Sequence, residues 1–221
     1  MNKQPKQYKQ IYEYEKDLNF KQFIEIILKH EGKLSNDKTD VGGLTYKGIA
    51  YRYNKDNFIF KIIFDLQEKG YSTKQINEYL EKDIEVQKKV KDFYYNNYYK
   101  NFNYHRTPNE IPLVLTSFSI LFGGKRFSKK LQKVINNYLK ETPLVVDGLV
   151  GSNTINALEK VLKDRTSKEI ALALLLEAND AIIESVNYRS TNIKFLKGWI
   201  NRVIKTYNLI KKGWVGFKEK L

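Results

Sequence analysis

The stretch from Leu18 to Asn54, LNFKQFIEIILKHEGKLSNDKTDVGGLTYKGIAYRYN, decides how the chain is read. It opens as a helix start. Asn19 can cap, Gln22 sits at the third helical position to reach back, and Leu18 and Phe23 are placed for a hydrophobic staple. Phe20, Phe23, Ile24, Ile27 and Leu28 recur at helical spacing, Glu31 is the next position on that face, and Gly32 follows as a stop. In the last turn of a helix, on its buried side, an acid is disfavoured in its ionised form by the negative helix end and by desolvation. Both effects raise its pKa, as a general acid working near neutral pH requires. The plainer alternative is a rim glutamate paired with Lys33 or Lys47.

Beyond Gly32, the residues Asp37, Asp40, Gly42, Gly43, Thr45 and Gly48 make a polar, glycine-punctuated segment that ends in the β-prone Ile49 to Tyr53. This predicts a short hairpin or irregular ribbon folding back beside the helix end. Such a ribbon can set Asp40 and Thr45 opposite Glu31 across a groove. A carboxylic acid facing a carboxylate and a hydroxyl that hold a water is the layout of an inverting glycosidase. The acids of NDKTD do not have the spacing of an EF-hand loop, and no metal site is expected.

These residues carry a resemblance. H-E-G at 30–32, N-D at 36–37 and D-x-G-G-x-T-x-K-G-I at 40–49 resemble the N-terminal signature of glycoside hydrolase family 108, the lysozyme-like N-acetylmuramidases of phage and bacteria. The order Glu, Asp nine residues on, then Thr is also similar to that of phage-type muramidases. The resemblance implies that Glu31 is the catalytic acid, with Asp40 and Thr45 handling the water. Lys33 stands where the family has a second glycine, and Ser117 and Leu121 stand where it has the Asp and Asn of an F-D-x-A-x-N-x-G pattern. Farther on, L-Q-x-x-I-N-N from Leu131 and D-G-x-x-G-x-x-T-x-x-A-L from Asp147 resemble the peptidoglycan-binding-like C-terminal half that accompanies these hydrolases. Read physically, the second pattern is a tight turn entering a helix. KFLKGWINRV at 194–203 resembles the family's closing motif.

The whole chain sets further bounds. Its 221 residues suffice for one large domain or two small ones. Cysteine is absent and only His30 and His105 are present, which excludes a disulfide framework, a thiolate nucleophile and a His/Cys zinc centre. No cofactor is expected, and catalysis falls to carboxylates, hydroxyls or lysines. A net charge of +14 implies an anionic partner, but the lysines are scattered and no nucleic-acid motif occurs. Carboxylate- and phosphate-bearing cell walls suit that charge better. The longest apolar run, Ile111 to Phe122, is too short and mixed to span a bilayer, and the polar N-terminus reads as lacking a secretory signal. The expectation is a monomer made in the cytoplasm that reaches the wall through a holin-type pore or a secretion machine.

Along the chain, residues 1–17 read as a partly ordered extension, 18–125 as a lysozyme-like catalytic region and 126–221 as a helical peptidoglycan-binding-like region. About eight helices are expected, in a mainly α, lysozyme-like fold with one small β-ribbon. Ser152 or Asn153 should cap one helix after a positive-φ Gly151, and the last helix should bury Phe195, Leu196, Trp199, Ile200, Val203 and Tyr207. Tyr46, Tyr98 and Tyr99 are the aromatic candidates for sugar subsites, although aromatic stripes at helical spacing usually face a core. The expected activity is cleavage of the β-1,4 bond between N-acetylmuramic acid and N-acetylglucosamine, with inversion. A lytic transglycosylase, a wall-binding module with a decayed site and a nucleic-acid binder are the rivals.

Overall fold

The first long helix, α1 (Leu18–Leu28), begins two residues earlier than the capping pattern predicts. Asp17 is the cap, its carboxylate accepting from the Phe20 N–H at 2.8 Å, and Asn19 lies inside the first turn. The computed structural model describes residues 12–29, 31–36, 43–102, 107–108, 110–140 and 143–212. The side chains of Leu18, Asn19, Gln22 and Phe23, on which a staple and capping box would rest, fall outside this description. Among the described residues there are nine α-helices and one three-stranded antiparallel sheet, so the expected mainly α, lysozyme-like class with a small β-ribbon holds. The chain divides into two compact units, residues 1–95 and 96–221.

In the first unit, α1 is followed by β1 (Ser35–Asn36), β2 (Leu44–Tyr46) and β3 (Ile49–Ala50), then by α2 (Phe58–Glu68), α3 (Thr73–Lys82) and α4 (Ile84–Tyr94). Each of these later helices has a local start signal. Asn57 and Asp83 cap α2 and α4, and Ser72 with Gln75 makes a full capping box on α3. Phe20, Ile24 and Ile27 of α1 are buried, as are Ile59, Phe60 and Ile63 of α2, Ile76 and Leu80 of α3, and Val86 and Val90 of α4. Part of the supposed extension belongs to this core. Tyr12 precedes and Tyr14 lies within a 3-10 turn at Glu13–Lys16, both are buried, and the Tyr12 hydroxyl donates to Glu85. An apolar ring with a polar tip needs such a partner when buried, and composition alone does not reveal that it has one.

The second unit is built on α5 (Glu110–Phe122), buried from Ile111 to Ser119, which packs against α6 (Gly124–Tyr138) and α8 (Ser167–Tyr188). Between those two, α7 (Ser152–Val161) packs on α6, and α9 (Leu196–Lys211) lies against α8. Thr166 and Glu169 form a capping box at the start of α8. The predicted inward face of α9 is corrected. Ile200 and Tyr207 are exposed, and the buried stripe runs through Val203, Thr206 and Ile210, with Arg202 donating to the Ser117 carbonyl at 3.2 Å. The stripe keeps helical spacing but takes in a threonine and an arginine, which hydropathy passes over.

The motif at 131–158 gains a structural account. Gln132 is buried, and its amide nitrogen donates to the Asp147 carboxylate at 2.7 Å and the Leu149 carbonyl at 3.1 Å, while its oxygen accepts from the Gly148 N–H at 2.8 Å. One turn on, Asn136 exchanges two hydrogen bonds with the Leu144 backbone. Gly148 has the left-handed φ of +82° that the Asp147-Gly148 turn predicts, and a Cβ there would stand 2.7 Å from the Lys125 carbonyl oxygen. Gly151 is the N-cap at φ −96°, with no side-chain cap bond, so the expected positive φ and Ser152 or Asn153 cap are both corrected. Bonds to Gln132, and to the Leu149 backbone N–H, hold the Asp147 carboxyl below its ordinary pKa. Replacing Gln132 with Ala should lower unfolding stability by about 1–3 kcal/mol in urea melts, because the buried Gly148 N–H loses its acceptor. The exposed Val145→Ser control should stay within about 0.5 kcal/mol; equal midpoints for the two variants would contradict the clamp.

Candidate active site

Glu31 does not sit in the last helical turn. The helical ladder of α1 stops at Leu28, and Glu31 lies three residues on, in a bend, its N–H donating to the Leu28 carbonyl at 3.3 Å. Gly32 is exposed, lacks a positive φ and has open space where a Cβ would be, so it is not the helix stop that its position implied. Glu31 itself is half-buried.

The wall beside its carboxylate is the small sheet. Strands run in the order β1-β2-β3, with Ser35 opposite Thr45 and Tyr46 opposite Ile49. The two residues joining β2 to β3, Lys47 and Gly48, have φ angles of +44° and +75°. Positive φ at both central residues is the signature of a type I′ hairpin turn, whose twist matches that of the flanking strands. At Gly48 the missing side chain is a steric requirement. A Cβ there would lie 2.5 Å from Glu31 Oε2 and 2.6 Å from the Tyr94 hydroxyl oxygen. The ribbon therefore does fold back beside the helix end, and the part that meets Glu31 is the turn.

Lys47 is a non-glycine residue in the left-handed region, a conformation that persists only where the surroundings hold it. Its carbonyl accepts from the Tyr94 hydroxyl at the end of α4, and its ammonium lies 3.0 Å from the Glu81 carboxylate on α3. The plainer expectation for Lys47, a rim pair with Glu31, gives way to this contact with Glu81. The same carboxylate accepts from the Tyr46 hydroxyl at 3.1 Å, and that hydroxyl accepts from the Gln87 amide, also at 3.1 Å. Burial, opposed by the Gln87 bond and reinforced by Glu81, pushes the Tyr46 phenol well above its ordinary pKa.

Of the other expected site residues, Thr45 lies on β2, half-buried, and its hydroxyl donates to the Gly43 carbonyl at 3.1 Å. Asp40 lies outside the described residues. Tyr46 is corrected: at 0% exposure its ring is a core element that no sugar reaches. Tyr99, in the second unit, is likewise buried and structural, whereas Tyr98 is half-buried. Sequence reasoning passed over the anchoring roles of Tyr94 and Glu81 and the contact at Gly48. The signal for the turn was present: two residues, the second a glycine, between short β-prone runs. Nothing local marks Glu81 or Tyr94, which come from distant helices.

The arrangement is an acid seated against a hairpin in a mainly helical unit, the frame of a carbohydrate-cleaving enzyme. Residues 24–123 match the family described as Glycosyl hydrolase 108, and residues 127–204 match one described as Predicted Peptidoglycan domain. A chain carrying these two matches is a glycoside hydrolase acting on peptidoglycan. The structure of Brucella abortus SagA is similar in fold, with a TM-score of 0.59 at 22% identity over 87% of this chain and 94% of that one. Comparison with curated proteins finds no match.

The core placement of Tyr46 has a direct check. Tyr46→Phe should lower stability by about 1–2 kcal/mol, since Glu81 and Gln87 lose a buried partner. Turnover and KM on peptidoglycan should stay within about twofold. A raised KM at unchanged stability would return Tyr46 to the substrate.

Proposed function

We propose that this peptidoglycan hydrolase is an N-acetylmuramidase that cleaves the β-1,4 bond between N-acetylmuramic acid and N-acetylglucosamine. Glu31 protonates the leaving glycosidic oxygen, which departs with the bonding electrons as the 4-hydroxyl of N-acetylglucosamine. Positive charge develops at the anomeric carbon of the muramic acid. Asp40, with Thr45, orients a water on the opposite ring face and takes its proton, giving inversion. An inverting pair of carboxyls stands roughly 6.5–9.5 Å apart, leaving room for that water.

The observation that carries this reading is the seating of the Glu31 carboxylate against Gly48. It places the acid beside the strand pair that bears Thr45, rather than on a free helix end. We assign residues 18–125 to catalysis, with Tyr98 as a candidate sugar contact, and residues 126–221 to holding the wall. A groove of about 620 Å³ in the second unit, bordered by Lys140, Lys160, Lys163 and Arg165, supports retention on an anionic wall. The enzyme acts as a monomer on the glycan strands.

Glu31→Gln should keep its circular dichroism spectrum and clear no zone in a peptidoglycan zymogram; clearing at the wild-type rate would remove Glu31 from the mechanism. Asp40→Ala and Thr45→Ala should each lose at least about tenfold in kcat, the usual scale for positioning and base contributions. NMR of fresh product should show the α-anomer. A retained β-anomer contradicts inversion, and a 1,6-anhydro end in mass spectra identifies a lytic transglycosylase instead.

A further inference from the structure

We propose that Tyr94 is a positioning residue for Glu31, acting through the Lys47-Gly48 turn; this rests on Glu31 being the proton donor proposed above. Tyr94 is the last residue of α4 and is 1% exposed. Its hydroxyl donates to the Lys47 carbonyl. A phenol has one proton to give, so that proton is committed to the turn. The same oxygen stands 2.6 Å from the point a Gly48 Cβ would occupy, and Glu31 Oε2 stands 2.5 Å from it. The end of α4, the hairpin turn and the bend after α1 thus converge on the α-carbon of one glycine.

The turn has little freedom as long as both of its anchors hold. Lys47 sits at φ +44°, fixed at its carbonyl by Tyr94 and at its ammonium by Glu81, 3.0 Å away. The ammonium hangs on a flexible stem and steers the peptide plane weakly. The carbonyl is part of that plane, so the phenol sets the plane's orientation and with it the position of the Gly48 α-carbon. Glu31 packs directly on that carbon. If the hydroxyl is removed, the Lys47 carbonyl loses its donor, the Lys47–Gly48 peptide can rotate, and the carboxylate loses the wall that aims it. Proton transfer to a leaving oxygen is sensitive to displacements of about 1 Å, whereas ground-state binding of a long glycan is spread over many contacts. Loss of Tyr94's hydroxyl therefore acts on turnover and spares substrate binding.

Tyr94→Phe and Gly48→Ala test this, assayed on soluble peptidoglycan fragments beside wild type and Glu31→Gln, with folding followed by circular dichroism and thermal melting. The expected result for Tyr94→Phe is a kcat at least tenfold lower, a KM within twofold and a native spectrum at the assay temperature. Gly48→Ala, which pushes a methyl group toward both oxygens, should show the same split with a larger loss. A Tyr94→Phe enzyme with kcat within twofold of wild type, while Glu31→Gln is inactive, overturns the positioning role and leaves the proton donor in place. A loss of kcat that merely tracks the unfolded fraction also overturns it, in favour of a role in stability. If Tyr94→Phe does not fold, Gly48→Ala decides by the same split. Activity persisting in Glu31→Gln overturns the proton-donor reading itself.

Discussion

A hydrogen bond from a buried phenol to one main-chain carbonyl holds the hairpin turn of the first unit in place. Tyr94 of α4 donates to Lys47, and Lys47 occupies a backbone region that side-chain-bearing residues avoid. A two-residue hairpin needs that region at both of its positions if the strands are to keep their twist, so the lysine is conformationally costly by itself. The surroundings offset the cost from two sides, through Tyr94 at the carbonyl and Glu81 at the ammonium. Glu81 in turn ties down the Tyr46 hydroxyl, so the inner face of the sheet and the turn share one anchor. Two helices, α3 and α4, thereby fix a sheet too short to be stable alone.

The second unit solves a similar problem with neutral groups. A loop between two helices is pinned by Gln132 and Asn136, neighbours on one face of α6, through bonds to Asp147, Gly148, Leu149 and Leu144. This gives the D-G-x-x-G-x-x-T pattern a mechanical meaning. Asp147 and Gly148 make the turn, and Thr154 donates to the Leu149 carbonyl at 3.2 Å from the first turn of α7. Charge is used elsewhere in this unit. Lys130, largely buried, lies 2.9 Å from Glu177 and 3.1 Å from Glu184, joining α6 to α8. Burial alone would lower the Lys130 pKa, but the two carboxylates outweigh it and hold the pKa above its ordinary value.

Much of this was legible in the sequence because it is local. Helical spacing and the Asp147-Gly148 turn act within a few residues of where they are read. The resemblance to glycosyl hydrolase 108 was legible for the same reason, since H-E-G and the D-x-G-G-x-T-x-K-G-I segment lie within one short stretch. What escaped depends on partners far along the chain. Tyr46 was read as a sugar contact because an aromatic beside a catalytic ribbon invites that reading, yet Glu81 and Gln87, 35 and 41 residues away, claim its hydroxyl. The ring of Tyr94 packs, as an aromatic in a helical stripe usually does; its tip does something that no spacing rule reports. The early end of α1 and the threonine-bearing stripe of α9 are smaller cases in which a hydrophobic pattern set the phase but not the limits.

The pleat of β2 has a consequence for how this gene can vary. Successive strand residues point to opposite faces, so the register that buries Tyr46 is the one that turns Thr45 the other way. That register is set by the length of the turn at Lys47-Gly48 together with the β1 pairing and the helix contacts of Tyr46. A single added or deleted codon there would act against those contacts, since the slipped register puts the tyrosine where the threonine stands and a small hydroxyethyl group in the cavity it left. Length at this turn is therefore under tighter constraint than identity at most of the positions around it.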